Sequence, residues 1–271
     1  MKRFLPGTAA LAALCLSIPA FAADLPARVT KAPPVPVSPA YNWSGFYLGA
    51  HAGYTFGEDD TIFTTGQAAA NVANVAGGAR PALVRLERDG FIGGGQMGYN
   101  WQLTPNWVVG LEADISYVDI RRDVTVVTTP LAGVGLLNNT FRTRMEYFGT
   151  VRGRVGYAWD RTLLYATGGL AYGEVDNSVN FFGTAGQLQF TGNNRSTEAG
   201  YTVGAGIEHA FAPNWTAKAE YLFYDLRDRT VNVAVIPGSG GGGTGYNSRF
   251  DNDGHIVRVG LNYKFGGAGM R

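Results

Sequence analysis

The stretch LTPNWVVGLEADISY, residues 103–117, joins a tight turn to an alternating segment, and FAPNWTAKAEYLFYDL, residues 211–226, repeats both features. Each begins with an apolar residue and contains a Pro-Asn-Trp turn, after which charged and apolar side chains alternate. Successive side chains of a β-strand point to opposite faces, so Glu112 and Asp114 share one face and their aliphatic neighbours share the other. The pattern therefore predicts strands with one apolar face and one charged face.

The same period of two recurs in eight segments after Trp43, each long enough to cross a bilayer as a tilted strand. The segments are residues 46–56, 90–102, 107–117, 144–157, 163–173, 199–211, 215–224 and 255–265. Their connections alternate between short turns and the long stretches 57–89, 118–143, 174–198 and 225–254. This arrangement predicts an all-β fold, an eight-stranded antiparallel up-and-down transmembrane β-barrel with short periplasmic turns and four long extracellular loops.

Composition favours strands and turns over helices. The 271 residues include 39 Gly, 15 Phe and 14 Tyr, and only 16% are charged. The formal net charge is +1, so no strongly basic surface indicates nucleic acid as a partner.

The N-terminus predicts export. A positive Met1-Lys2-Arg3, an apolar stretch from Leu5 to Ile18 and the small-x-small sequence Ala20-Phe21-Ala22 form a signal peptide over residues 1–22. A membrane-anchoring helix is the alternative, but the apolar stretch is short for one and ends in a cleavage signal. The single Cys15 lies inside this segment, so the mature chain has no disulfide.

The remaining chain divides into three predicted parts. Residues 23–42 are rich in proline and form a stiff periplasmic linker, residues 43–265 form the transmembrane barrel, and residues 266–271 form a short C-terminal tail.

The tryptophans collect beside the short turns or at the entry to the first strand. Aromatic side chains of a barrel form girdles at both interfaces, so these five residues predict a periplasmic girdle. They are Trp43, Trp101, Trp107, Trp159 and Trp215.

Counting alternate positions assigns ten charged side chains to the lumen. They are Glu112, Asp114, Glu146, Arg152, Arg154, Glu208, Lys218, Glu220, Arg258 and Lys264. A basic side chain facing lipid at mid-depth costs about 2–4 kcal/mol, which forces these residues inward. The interior of eight strands holds side chains and little else, so opposite charges are expected to pair into a plug. A relay or a narrow ion path through the same groups is the alternative.

The sequence predicts neither a cofactor site nor an active site. The sequence Gly93-Gly94-Gly95-Gln96-Met97-Gly98 matches a dinucleotide fingerprint but lies within a strand, where no helix follows. His51 is assigned to the lumen, and His209 and His255 to the outer face at opposite ends, without metal-ligand spacing. No Ser or Asp pairs in register with a histidine, so the protein is not expected to be an enzyme.

Several motifs together resemble a known family. They are YNWSGFYLGAHAGY, GGGQMGYNWQL, NWVVGLEADISY, RTRMEYFGTVRGRVGYAWDRTLLYATGGLAYG, GYTVGAGIEHAFAPNWTAKAEYLFYDL and HIVRVGLNYKF. The set resembles the porin-like surface antigens of rhizobial and related alphaproteobacteria, outer-membrane barrels akin in form to OmpA and OmpX. The resemblance implies an abundant, often immunogenic surface protein linked to envelope integrity, and some relatives bind haem. It also implies that the insertion machinery reads a C-terminal aromatic signal, which places that signal at Tyr263 and Phe265 although six residues follow.

The expected role is that of a structural outer-membrane protein with interactions through its long loops. The first and fourth loops, with AAANVANVAGGARPALV and GSGGGGTG, look mobile rather than like a preformed pocket. A small low-conductance porin and capture of a haem-type ligand by the loops are the alternatives. The expected partners are outer-membrane lipid and lipopolysaccharide, the barrel-insertion machinery and periplasmic chaperones, with an unknown extracellular ligand.

Overall fold

The computed structural model describes residues 41–57, 60–86 and 89–265. The predicted signal peptide, most of the linker and the C-terminal tail lie outside these residues. One helix, α1, spans Ala69–Ala76. The strands are β1 Gly45–Phe56, β2 Asp60–Gly66, β3 Leu83–Leu86, β4 Gly90–Gln102, β5 Trp107–Thr128, β6 Leu137–Trp159, β7 Thr162–Phe182, β8 Leu188–Ala210, β9 Trp215–Asp225, β10 Arg229–Val235, β11 Gly245–Phe250 and β12 Asp253–Lys264. Among the described residues, no helix combines the length and apolar character needed to cross a membrane.

Eight of these strands close into a ring of antiparallel neighbours in the order β1, β4, β5, β6, β7, β8, β9 and β12, with β12 pairing back to β1. Each of the eight matches one of the predicted segments, although segments 199–211 and 255–265 run one residue past their strands. The outer face of the ring carries the exposed apolar side chains, such as Leu111, Ile115 and Val259. The predicted eight-stranded antiparallel barrel is confirmed.

Four strands of the ring continue beyond the predicted membrane span on the side of the long connections. They are joined by a second set of strands, because β8 pairs with β10, β10 with β11, β11 with β2, and β2 with β3. We call this part, formed by the outer ends of β5–β8 with β2, β3, β10, β11 and α1, the extracellular extension. The first and fourth connections therefore contain regular structure, although the GSGGGGTG stretch lies outside helices and strands up to Gly245.

Three apolar clusters lie along the axis of the ring. The base cluster, at the end with short turns, contains Tyr41, Trp43, Val108, Ala158, Leu163, Tyr165 and Ala210. The rim cluster, where the ring meets the extension, contains Ile92, Val118, Ile120, Met145, Phe148, Ala171, Val175, Leu222, Tyr224, Leu226 and Ile256. The extension core contains Ile62, Val84, Leu86, Phe141, Val179, Phe181, Phe190, Val231, Val233, Tyr246 and Phe250. The charged residues of the lumen lie between the base and rim clusters.

Sequence alternation missed the extension because its polarity is inverted. On β5, Val118 and Ile120 point inward, whereas Asp119, Arg121 and Asp123 point into solvent. A segment of this kind has a charged outer face, which cannot contact lipid, so the pattern of a membrane strand ends there. The backbone nevertheless keeps pairing, and residues predicted as loops 118–143 and 174–198 are mostly strand.

Candidate functional site

Arg152 on β6 lies at the centre of the charged lumen. Its guanidinium donates to Glu112 at 2.5 Å, to Glu220 at 2.9 Å and to Asp114 at 3.2 Å. Its side chain is fully buried, with 0% exposure. A buried guanidinium is stable only when carboxylates and hydrogen-bond acceptors surround it, and β5 and β9 supply the three carboxylates here.

Arg258 and Lys218 extend the network around the ring. Arg258 contacts both oxygens of Asp114, at 3.2 and 3.1 Å, and donates from Nε to Glu220 at 2.7 Å. The Lys218 ammonium contacts both oxygens of Glu112, at 2.8 and 2.9 Å. Glu112, Asp114 and Glu220 therefore each meet more than one base, and the charges compensate one another within the lumen.

Arg154 forms a second centre nearer the base cluster. It donates to Glu208 at 3.0 Å and to Asn100 at 2.8 Å. Its guanidinium carbon lies 4.9 Å from the Tyr47 ring centroid and 5.2 Å from that of Tyr165. Stacking of a guanidinium on aromatic faces adds cation–π attraction, which is stronger where water is excluded.

Glycines of neighbouring strands make room for these long side chains. Gly169 faces Arg152 in register, and a Cβ on Gly169 would lie 2.1 Å from the Val151 carbonyl oxygen. Five other lumen charges also face a glycine, and the pairs are Arg154 with Gly110, Arg258 with Gly53, Glu112 with Gly98, Lys218 with Gly260 and Glu220 with Gly206. The glycines also leave room for side chains that bond the lumen charges, since a Cβ on Gly98 would meet the Tyr47 hydroxyl and one on Gly206 would meet the Tyr165 hydroxyl.

The predicted lumen position of Glu146 is wrong. Its side chain is 55% exposed and lies 3.8 Å from Arg195 on the outer surface of the extension. The pairing register of β6 shifts between Met145 and Phe148, so the parity that places Arg152 inside does not extend back to Glu146. A β-bulge of this kind moves every earlier side chain to the other face. The lumen thus contains four of the five predicted acids and all five predicted bases.

The predicted girdle position of Trp43 is also wrong. Trp43 is 1% exposed and packs inside the ring in the base cluster, with its ring edge-on to Tyr41 at 4.9 Å. It precedes β1, so strand alternation does not determine its direction, and its backbone N–H donates to Gln102 Oε1 at 2.8 Å. Lys264, the predicted lumen base nearest this end, donates to the carbonyl of Asn42 and lies 4.1 Å from the Tyr41 ring centroid. The segment before β1 is thereby held inside the ring.

The other predicted aromatic residues lie on the outer face. Trp101, Trp107, Trp159 and Trp215 are 44–51% exposed. Tyr263 and Phe265 of the predicted insertion signal also face outward and pack edge-to-face, 5.0 Å between centroids. A row of half-exposed aromatics at the end with short turns is the arrangement expected of a membrane–water interface.

Neutral side chains complete the lumen, and sequence reasoning did not assign them a role. Tyr47 donates to Glu112 at 2.7 Å, and Asn262 donates to Glu208 at 2.9 Å. His51 bonds Gln96 at 3.0 Å and Ser116 at 2.7 Å, and Arg258 Nη1 lies 3.4 Å from its Nε2, so this inward histidine joins the neutral side chains to the charged network. The signal was available, since Tyr47 and His51 fall on the lumen parity of β1. Within the described part of the chain, no group of three or more His, Cys, Asp or Glu residues is arranged to hold a metal ion.

A closed ring of eight antiparallel strands with an apolar outer face, aromatic residues at its margin and a charged interior defines a transmembrane β-barrel of the outer membrane. The chain belongs to the outer membrane protein beta-barrel domain family, whose pattern matches residues 8–265. It is similar to the 31 kDa outer-membrane immunogenic protein of Brucella melitensis, at 37% identity over 91% of this chain and 93% of the relative.

Two further relatives have the same character. The 22 kDa outer membrane protein of Rhizobium leguminosarum is 30% identical over 85% of this chain and 82% of its own length. The 25 kDa outer-membrane immunogenic protein of Brucella canis is 26% identical over 94% of both chains. The resemblance to alphaproteobacterial surface antigens and the outer-membrane location are confirmed.

Proposed function

We propose that the protein is a closed barrel that anchors an ordered extracellular interaction surface in the outer membrane, without conducting ions and without catalysis. The observation that carries this proposal is the occupied interior. Going outward from the periplasmic end, the base cluster, the ion-pair network, the rim cluster and the extension core follow one another along the axis. An ion on this path would have to separate buried ion pairs and cross apolar layers, each of which costs free energy.

The envelope role is part of the same proposal. The apolar outer face and its aromatic margin support contact with outer-membrane lipid and lipopolysaccharide. Outward-facing Tyr263 and Phe265 support recognition by the insertion machinery after delivery by periplasmic chaperones. The relatives from Brucella are named as immunogenic, which supports exposure of the extracellular extension at the cell surface.

The experiment is single-channel recording of the refolded full chain in a planar bilayer. Insertion is established in the same preparation by protease cleavage confined to the extracellular extension, and gramicidin added at the end verifies that the bilayer reports current. We expect no steady current from the inserted protein. Discrete openings whose amplitude scales with salt would overturn the closed barrel and make it a small porin.

A variant sharpens the measurement. Trp43→Ala removes one buried aromatic side chain at the periplasmic mouth but leaves the ion pairs of Arg152 and Arg258 untouched. We expect this variant to remain silent, because the charged layer still closes the lumen. Openings in Trp43→Ala alone would contradict the role given to the ion pairs.

A further inference from the structure

A cavity of about 350 Å³ lies in the extracellular extension, lined by residues from all four long connections of the barrel. The first connection contributes Arg80, the second Leu131, the third Gln189 and the fourth Gly240. Ligand sites of proteins begin at about this volume and combine apolar walls with a few placed polar groups. The cavity therefore forms only where the four connections meet.

Arg80 is the charged side chain of this cavity. It is 3% exposed, and its guanidinium donates to Asn139 at 2.8 Å, to the carbonyl of Phe182 at 3.0 Å and to Gln189 at 3.0 Å. These three bonds use three of the five N–H donors of a guanidinium, which leaves capacity for a further acceptor. Among the described residues that line the cavity, Arg80 is the only one with a full charge.

The three acceptors of Arg80 are neutral, which distinguishes it from the buried arginines of the lumen. Arg152, Arg154 and Arg258 each contact at least one carboxylate, whereas no described carboxylate lies within ion-pair distance of Arg80. Burial lowers the pKa of Arg80, although the neighbouring Tyr246 hydroxyl acts in the opposite direction. A buried charge without a counter-charge is costly, so an anion in the cavity would be favoured.

The walls indicate the kind of anion. Phe190 and Tyr246 lie beside Arg80, and the mouth carries Leu131 and Val134, which are 52% and 93% exposed. A guanidinium matches the geometry of a carboxylate with two parallel hydrogen bonds, and the apolar side chains among the mostly polar walls offer contact to an organic body. The neutral donors and acceptors of Asn74 and Gln189 also border the space.

We propose that this cavity binds a small organic carboxylate, whose charged group meets Arg80 and whose apolar part contacts Leu131 and Phe190. The inference deepens the interaction role of the extracellular extension and rests on that proposed role. It does not depend on whether the barrel conducts, so bilayer recording and ligand binding can fail separately.

The test uses the refolded full chain in lipid nanodiscs, with benzoate as the probe and benzamide as its uncharged counterpart of the same shape. Binding is followed by saturation-transfer NMR of the ligand over a concentration series. We expect benzoate to bind at least tenfold more tightly than benzamide. Equal binding of the two, no saturable binding of benzoate, or sulfate binding as tightly as benzoate would overturn the proposal.

Variants separate a binding role of Arg80 from a purely structural one. Arg80→Gln should weaken benzoate binding at least tenfold, whereas Arg249→Gln, at an exposed arginine of the same extension, should leave it unchanged. Because Arg80→Gln also removes bonds between connections, Ala132→Trp provides a second route, since Ala132 is an exposed residue at the cavity wall. We expect Ala132→Trp to abolish benzoate binding while the extension stays folded. Retained binding in Ala132→Trp would show that benzoate binds elsewhere.

Discussion

The interior of the ring and the interior of the extracellular extension are built on the same strands but have opposite polarity. Between the base and rim clusters, β6 turns Arg152 and Arg154 inward and Val151 and Val155 outward. Further along β6, Phe141 is buried in the extension core, and Arg142 on the outer face bonds Asp123. The surroundings of a strand, rather than the strand itself, therefore decide which of its faces is polar.

The physical reason is the solvent outside the strands. Lipid surrounds the ring, so charged side chains gain nothing on its outer face and must compensate one another within. Water surrounds the extension, so the hydrophobic effect again drives apolar side chains inward. The change occurs near the register shift of β6 between Met145 and Phe148, close to the rim cluster.

The largest effect is expected when Arg152 is removed from the ion-pair network of the lumen. Arg152→Met removes one of the two arginines that Glu112, Asp114 and Glu220 share, which leaves the buried network one positive charge short. Leaving buried charges uncompensated costs about 3–5 kcal/mol of unfolding free energy. The loss is measured by urea titration of the protein in lipid vesicles.

Arg195→Met is the matched control, because Arg195 is an exposed arginine paired with Glu174 on the outside of the extension. Its loss should cost less than about 1 kcal/mol. Similar costs for the two arginines would contradict the description of the lumen as a buried network.

The next largest effect is expected in the apolar core of the extension. Ile62→Ala removes a side chain that is 1% exposed in the extension core, and we expect a loss of about 2–5 kcal/mol in the stability of the extension. The adjacent Phe63 on β2 is 46% exposed, so Phe63→Ala should cost less although it deletes more atoms. The rate of protease cleavage in the extension reports both variants. A larger effect of Phe63→Ala would mean that the core of the extension is not where we place it.

A smaller effect tests the glycines that accompany the lumen charges. Gly169→Ala places a Cβ 2.1 Å from a backbone oxygen beside Arg152, and overpacking of this kind costs about 1–3 kcal/mol. Gly153→Ala on the outer face meets no atom nearer than 3.9 Å and should be close to neutral. Urea titration compares the two variants with the parent, and equal midpoints for Gly169→Ala and Gly153→Ala would show that the lumen does not need a glycine beside Arg152.

The smallest effect is a dependence on pH at the junction of β8 and β10. Burial raises the pKa of Glu198, but the hydrogen bonds from Arg229 and Ser196 outweigh it and hold that pKa below its ordinary value. A carboxyl of this kind contributes stability above its unfolded pKa, about 4.3, and loses that contribution as the pH falls through the folded pKa.

We therefore expect acidification from pH 7 to below pH 4 to weaken the extension of the parent more than that of Glu198→Gln, by about 1 kcal/mol or less. Urea titrations of the parent and of Glu198→Gln at the two pH values measure the stability of each. An identical response of parent and variant would exclude Glu198 as the titrating group.

Sequence alternation predicted the ring because lipid imposes a period of two on every membrane strand. It predicted nine of the ten lumen charges for the same reason, and it failed at Glu146 because a register shift is invisible to parity counting. Trp43 was misplaced because it precedes β1, where alternation has not begun. The extension was missed because its alternation is inverted, and the role of Arg80 could not be foreseen because it depends on four distant segments meeting.

The pairing of the extension limits how its surface can diversify. Along the outer ends of β5–β8, alternate residues such as Asp119 and Arg121 are open to solvent, while Ile120 between them is committed to the interior. An antibody or a phage receptor-binding protein would therefore meet every second residue of these strands. Escape from such recognition should proceed by substitutions at alternate positions, and insertions of a single residue should be rare there because they would turn the interior outward.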